Sequence, residues 1–178
     1  MRFLFLPLLS LLFNTTSFAQ GTIDNYSFFK LYVVNDKDEI LLVKWNNEWE
    51  VMGERYNQGL TIPKFVDTLA QSMGIKISQV KLAALFTQRP ASRPNLTIMH
   101  YFTARYKEGT IKPPADCSDI KWFKYEDAMK VIPYEIMKNV IGQIKKHPGK
   151  VVSAAFETTT DQKNITTVKV LEEFHTLN

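Results

Sequence analysis

From residue 28 the chain alternates strand-length apolar runs with short polar breaks. Residues 28–35 (FFKLYVVN) and 40–45 (ILLVKW) are rich in β-branched and aromatic side chains. They flank the polar turn Asp36–Glu39 and predict a hairpin. Asn46-Asn47 marks another turn before Trp49-Glu-Val-Met. Further strands are predicted at 80–87, 96–106 and 120–125, with a proline-containing loop at 88–95. Residues 126–146 have helical spacing interrupted near Pro133, with Ile136, Val140, Ile141 and Ile144 on one face. Beyond residue 150 two β-rich runs surround Asp161–Asn164 and predict a C-terminal hairpin over 150–178. That hairpin extends the sheet, covers an edge, or makes a homodimer or other protein contact. No repeat or low-complexity segment interrupts the pattern.

The most informative stretch is 53–75, GERYNQGLTIPKFVDTLAQSMGI. A loop bounded by Gly53 and Gly59 leads into a short amphipathic helix. Ile62, Phe65, Val66, Leu69, Ala70 and Met73 share one face, while Lys64, Asp67, Thr68, Gln71 and Ser72 form the other. Thr61 stands at the N-cap position, where its hydroxyl would accept an amide of the first turn. Pro63 fits that turn, because an N–H there has no intrahelical partner. Gly74 stands where a left-handed residue ends a helix. Hairpins and helices together predict an α/β (α+β) architecture, a mixed sheet between helical layers.

The ends and composition refine this picture. Arg2 followed by FLFLPLLSLLF, then Ser17 and Ala19 in small-residue positions, predicts a signal peptide over residues 1–19. The expected mature chain is therefore exported, periplasmic or secreted, and free of the membrane after cleavage. The remaining chain divides into a domain over 20–149 and the hairpin extension over 150–178. A single cysteine, Cys117, excludes an intrachain disulfide and suits a small apolar filler. A net charge of +4, falling to +3 without Arg2, suits a small anionic ligand. The dispersed basic residues do not form a nucleic-acid footprint. Asn25, Asn95 and Asn164 begin N-x-S/T motifs, which matter only in a eukaryotic host.

The 53–75 segment resembles the signature of the Nudix hydrolases. In that signature a glycine-started loop feeds a helix carrying Arg-Glu, then Glu-Glu, then glycine and an aliphatic residue. The resemblance extends over residues 28–146 and implies an α/β/α sandwich around a mixed sheet. Gly53, Gly59, Leu69, Gly74 and Ile75 retain the structural frame. Counted back from Gly74-Ile75, however, the Arg-Glu pair falls on Asp67 and Thr68. The Glu-Glu pair falls on Gln71 and Ser72, and the loop glutamate on Gly59. Counted forward from Gly53, that loop position is Leu60. Neither alignment supplies a carboxylate at a metal-binding position. Diphosphate cleavage by this route needs Mg2+ or Mn2+ held by clustered anionic oxygens, so no metal site is assigned.

The expectation is thus a non-hydrolytic binder of a nucleotide, another phosphorylated ligand or a protein partner, needing no cofactor. The first alternative is a Mg2+- or Mn2+-dependent diphosphate hydrolase using relocated carboxylates, with Glu50 and Glu54 as catalytic candidates. The second is an interaction protein working through its C-terminal hairpin. For a ligand, Arg55, Arg89 and Arg93 offer phosphate-matching forks, and Trp49 offers a stacking face. His100, on an alternating strand, reads as a packed histidine.

Overall fold

The computed structural model describes residues 25–56, 59–163 and 165–177. The expected signal peptide and Asn164 lie outside the described residues. The first strands are β1 (Tyr26–Val34), β2 (Ile40–Trp45), β3 (Glu48–Glu50) and β4 (Gly53–Arg55), followed by helix α1 (Ile62–Ser72). The long strands β5 (Ile75–Pro90) and β6 (Thr97–Gly109) come next, then β7 (Cys117–Phe123). Helices α2 (Tyr125–Val131) and α3 (Glu135–Lys146) precede β8 (Val152–Thr160) and β9 (Thr166–Thr176).

All strands join one mixed sheet, ordered β3-β2-β1-β6-β5-β8-β9, with β4 paired to β1 and β7 to β2. β1–β6 and β5–β8 are parallel, and the other pairings are antiparallel. The C-terminal hairpin therefore extends the main sheet, through β8 against β5. Alternation along β1 builds both layers. Phe29, Leu31 and Val33 pack in the α1 core with Phe65, Val66 and Leu69. Tyr32 faces the opposite core with Tyr101, Val140 and Ile141 of β6 and α3. The result is an α/β/α sandwich in which each face of the sheet is covered by the apolar stripe of a helix.

Local sequence explains several boundaries. Asn46 and Asn47 adopt φ of 47° and 66°, the left-handed pair that a two-residue hairpin between β2 and β3 requires. The break between α2 and α3 follows Ile132 and Pro133, as Pro disfavours helix in the preceding residue. Gly74 ends α1 with φ +76°. A Cβ there would lie 2.3 Å from the Thr110 carbonyl oxygen, so glycine is demanded by both conformation and space.

Three local expectations need correction. Thr61 is the N-cap residue, but its side chain makes no capping bond. Pro63 removes one of the two amides such a hydroxyl would reach. The helical spacing puts Ile62 on the apolar face, yet it is 46% exposed at the helix start. The strand predicted at 80–87 runs from Ile75 to Pro90, and only a short turn remains of the 88–95 loop. β5 persists because it has partners on both edges, and register shifts against β6 absorb its irregular centre.

His100 points from β6 into the α1 core, its ring centroid 4.7 Å from that of Phe29. Its Nδ1 lies 3.2 Å from the Ile98 carbonyl oxygen. Burial holds the imidazole below its ordinary value of 6.5, outweighing the stabilising backbone contacts. Below pH 6.5 the unfolded chain therefore binds a proton more readily than the native one, and stability falls until the lowered native value is passed. Urea titrations across this window should show a flatter acid limb for His100→Phe than for the parent. Gly74→Ala should lower stability by more than about 1 kcal/mol in the same assay.

Candidate functional site

The site begins where the outer edge of β1 divides. At one end Val34 pairs with Ile40 of β2. At the other, Phe28, Phe29 and Lys30 pair with Arg55, Glu54 and Gly53 of β4. Between the two branches the Leu31 amide donates to the Met52 carbonyl oxygen at 2.8 Å. The Glu50–Val51 segment crosses this fork, and the Val51 amide reaches Met137 Sδ of α3 at 3.5 Å.

Lys30 occupies the fork, only 5% exposed. Its Nζ donates to Glu50 Oε2 at 2.7 Å and to the Val51 carbonyl oxygen at 3.0 Å. Burial pushes the ammonium below the ordinary lysine range, and the facing Glu50 carboxylate opposes that shift. Gly53 makes the closure possible. A Cβ at this position would stand 2.4 Å from Lys30 Cδ and 2.7 Å from the Phe29 carbonyl oxygen. The glycine therefore lets β4 lie directly on the lysine stem. Gly59 has no such constraint, since a Cβ there meets nothing within 4 Å.

Two cavities share this wall. The larger, about 620 Å3, lies at the loop–helix and is lined by Lys30, Glu50, Glu54, Arg55, Trp45 and Ser72 among others. The smaller, about 270 Å3, lies against α3 and is also lined by Lys30 and Glu50, with Phe86, Tyr101 and Met137. Arg55 lies over the Tyr26 ring, its guanidinium carbon 4.4 Å from the centroid. Trp45 is 43% exposed on the wall of the larger cavity.

The sequence candidates separate into two groups. Glu50, Glu54, Arg55 and Gly53 come together around the larger cavity. Leu69 and Ile75 are buried in the α1 core, and Gly74 is the turn that joins them. Arg89, Arg93 and Trp49 lie outside both cavities. Arg89 sits on β5, not in a loop, and its Nη2 pairs with Glu157 of β8 at 2.8 Å. Arg93 is exposed in the following turn. Trp49 packs edge-on against Phe123, with the ring centroids 4.9 Å apart. Trp45, on the other side of the Asn46-Asn47 turn, takes the cavity position. Lys30 was missed altogether, although its signal was present: a lysine within the otherwise apolar run FFKLYVV.

Among the described residues, the cavity wall does not assemble a donor set suited to a divalent cation. Of α1, Ser72 lines the larger cavity, and its hydroxyl donates back to the Leu69 carbonyl oxygen at 2.8 Å. The carboxylates on the wall are Glu50, Glu54 and Asp116, and Glu50 is committed to Lys30. Among the described residues no group of three or more His, Cys, Asp or Glu side chains is arranged to hold a metal. Mg2+ and Mn2+ favour several clustered oxygens, which this wall does not present.

No protein-family profile matches the chain, and no curated protein matches it. Solved structures do. A MutT protein from Bacillus halodurans aligns with a TM-score of 0.67 at 16% identity, covering 82% of this chain and 97% of its own. A MutT protein from Methanosarcina mazei Go1 aligns with a TM-score of 0.58 at 13% identity, over 72% and 100% of the two chains. The Nudix domain of Shewanella oneidensis NrtR, complexed with ADP ribose, aligns with a TM-score of 0.59 at 13% identity, over 68% and 87%. The chain has the Nudix fold, and the larger cavity lies beside the loop–helix that resembles the family signature.

Removing one partner of the buried pair strands the other charge. Lys30→Met and Glu50→Gln should each lower unfolding free energy, Lys30→Met by about 3–5 kcal/mol because it leaves a bare carboxylate. Lys30→Met combined with Glu50→Gln should cost clearly less than the sum of the single changes. Denaturant melts of the four proteins measure that coupling directly.

Proposed function

We propose that this protein is an exported, non-hydrolytic binding module built on the Nudix fold. It takes a nucleotide or a related phosphorylated small molecule in the cavity at the β1 fork. The observation that carries this reading is the wall itself: a buried ammonium and an arginine fork share it with Ser72, which stands at a position where the resemblance would place a metal-binding carboxylate. Arg55 would contact phosphoryl oxygens through paired N–H donors. Lys30, its charge balanced by Glu50, would offer its remaining N–H as a donor in a partly desolvated setting. Trp45 would offer its exposed face to a base. The ADP-ribose complex of the NrtR Nudix domain supports nucleotide binding on this scaffold. Export rests on the residue 1–19 pattern.

A second reading has one observation in its favour. β9 is a terminal strand of eleven residues, with Val168, Val170 and Leu171 exposed. Such an edge suits a protein contact, including homodimerisation. The relocated-carboxylate hydrolase has less support, since one of its two candidates, Glu50, is held by Lys30.

Calorimetric titration with ADP, ADP-ribose and sugar nucleotides, with metal chelated, should give saturable heat for at least one ligand. Arg55→Gln should weaken that binding by about tenfold or more, the scale of one lost charge-assisted contact. Absence of heat throughout would favour the protein-contact reading. Metal-dependent turnover abolished by Glu54→Gln would overturn the binding-module reading. Mass spectrometry of protein recovered from an export-competent host should show loss of residues 1–19.

A further inference from the structure

A third cavity, of about 540 Å3, lies on the α3 side of the sheet toward the opposite end of β1 from the Lys30 fork. Its floor includes Tyr32 of β1 and Ala83 of β5. Its rim carries Lys81 of β5, Arg105 of β6, Lys145 of α3 and Lys150 of the following turn. One carboxylate, Asp38, lines it. Four cations against one carboxylate leave +3, with histidine neutral, whereas the whole 178-residue chain carries only +4. Most of the protein's net charge is therefore gathered around one concavity, with charges elsewhere nearly balanced.

The four cations are not equivalent. Arg105 Nη1 donates to Asp38 Oδ1 and to the Asn35 carbonyl oxygen, both at 3.0 Å. Lys145 sits over the Tyr125 ring, with Nζ 3.7 Å from the centroid, and also answers the negative end of α3. Helix chemistry and the β1–β2 turn thus account for these two. Among the described residues the Lys81 and Lys150 side chains make no hydrogen bond or ion pair, and neither relationship explains them.

Their placement comes from two irregular pieces of backbone. The β5 register against β6 shifts between Ser78 and Lys81, with Gln79 at φ 54°. That bulge sets Lys81 on the cavity rim. The chain leaving α3 turns at Gly149, with φ +77°, and brings Lys150 to the same rim. Gathering like charges around a concavity is unfavourable when it is empty, and an anion relieves the repulsion.

We infer that this cavity is a second anion site, separate from the β1 fork, which takes the phosphoryl or pyrophosphoryl group of a small molecule. Lys81 and Lys150 supply the direct charge, and the Arg105–Asp38 pair fixes one wall. The cavity's size accommodates more than a bare phosphate, so the group would be presented by a larger molecule.

The test is an amide-resolved NMR titration of the protein with inorganic pyrophosphate, at low ionic strength and with metal chelated. Saturable shifts are expected at Ala83, Thr103 and Gly149. Lys81→Gln combined with Lys150→Gln should weaken the response at those amides by about tenfold or more. The corresponding pair of arginine substitutions should retain it, and any response at Gly53 and Arg55 should be unchanged in both. Shifts confined to Gly53 and Arg55, shifts unaffected by the glutamine pair, or no saturable shift at all would overturn the proposal. Because the two regions are read separately, failure here is distinct from failure of the fork site.

Discussion

The Lys30–Glu50 pair is the contact on which this end of the molecule depends. Two charges leave water at the point where β1 loses continuous pairing along its outer edge. Such a pair persists only when geometry is good and the remaining donors are satisfied. Here the Val51 carbonyl supplies the second acceptor, and Gly53 lets β4 close on the aliphatic stem. The same two residues form the wall shared by two cavities, so the interaction that holds the fork also sets its chemistry.

That arrangement changes the character of a familiar scaffold. The loop–helix keeps what packing requires: a buried apolar stripe, Gly74 in its left-handed turn, and Ile75 starting the long strand. The polar face has Gln71 and Ser72 where the resemblance would place a carboxylate pair, and Ser72 turns its hydroxyl to its own backbone. Cationic donors enter instead from the sheet, through Arg55 and through Lys30, which Glu50 neutralises. A module that recognises phosphate through fixed cations needs no metal for binding, whereas one that cleaves a diphosphate through this signature does. The fold accommodates either, and the side chains around the cavity decide between them.

Local features were legible in the sequence. The α1 stripe, the Asn46-Asn47 turn and the break at Pro133 depend on residues close together in the chain. Features that depend on distant partners were not. Lys30 and Glu50 are 20 residues apart, and only the fold reveals that the lysine in an apolar run faces a carboxylate. Arg89 belongs to a strand because β8, 68 residues later, supplies Glu157 as its partner. The full length of β5 was hidden by its bulges, which interrupt the alternation by which strands are read. Trp45 and Trp49 flank the same tight turn, and sequence pattern alone does not say which one meets the cavity.

The central claim is that the fork binds a phosphorylated ligand without a metal and leaves it intact. It is tested most directly by phosphorus NMR of bound ADP-ribose, recorded first with EDTA and then with excess Mg2+ or Mn2+. The predicted result is the same affinity in both conditions, with the diphosphate resonances preserved over prolonged incubation. Metal-dependent replacement of those resonances by two phosphomonoester signals would contradict it.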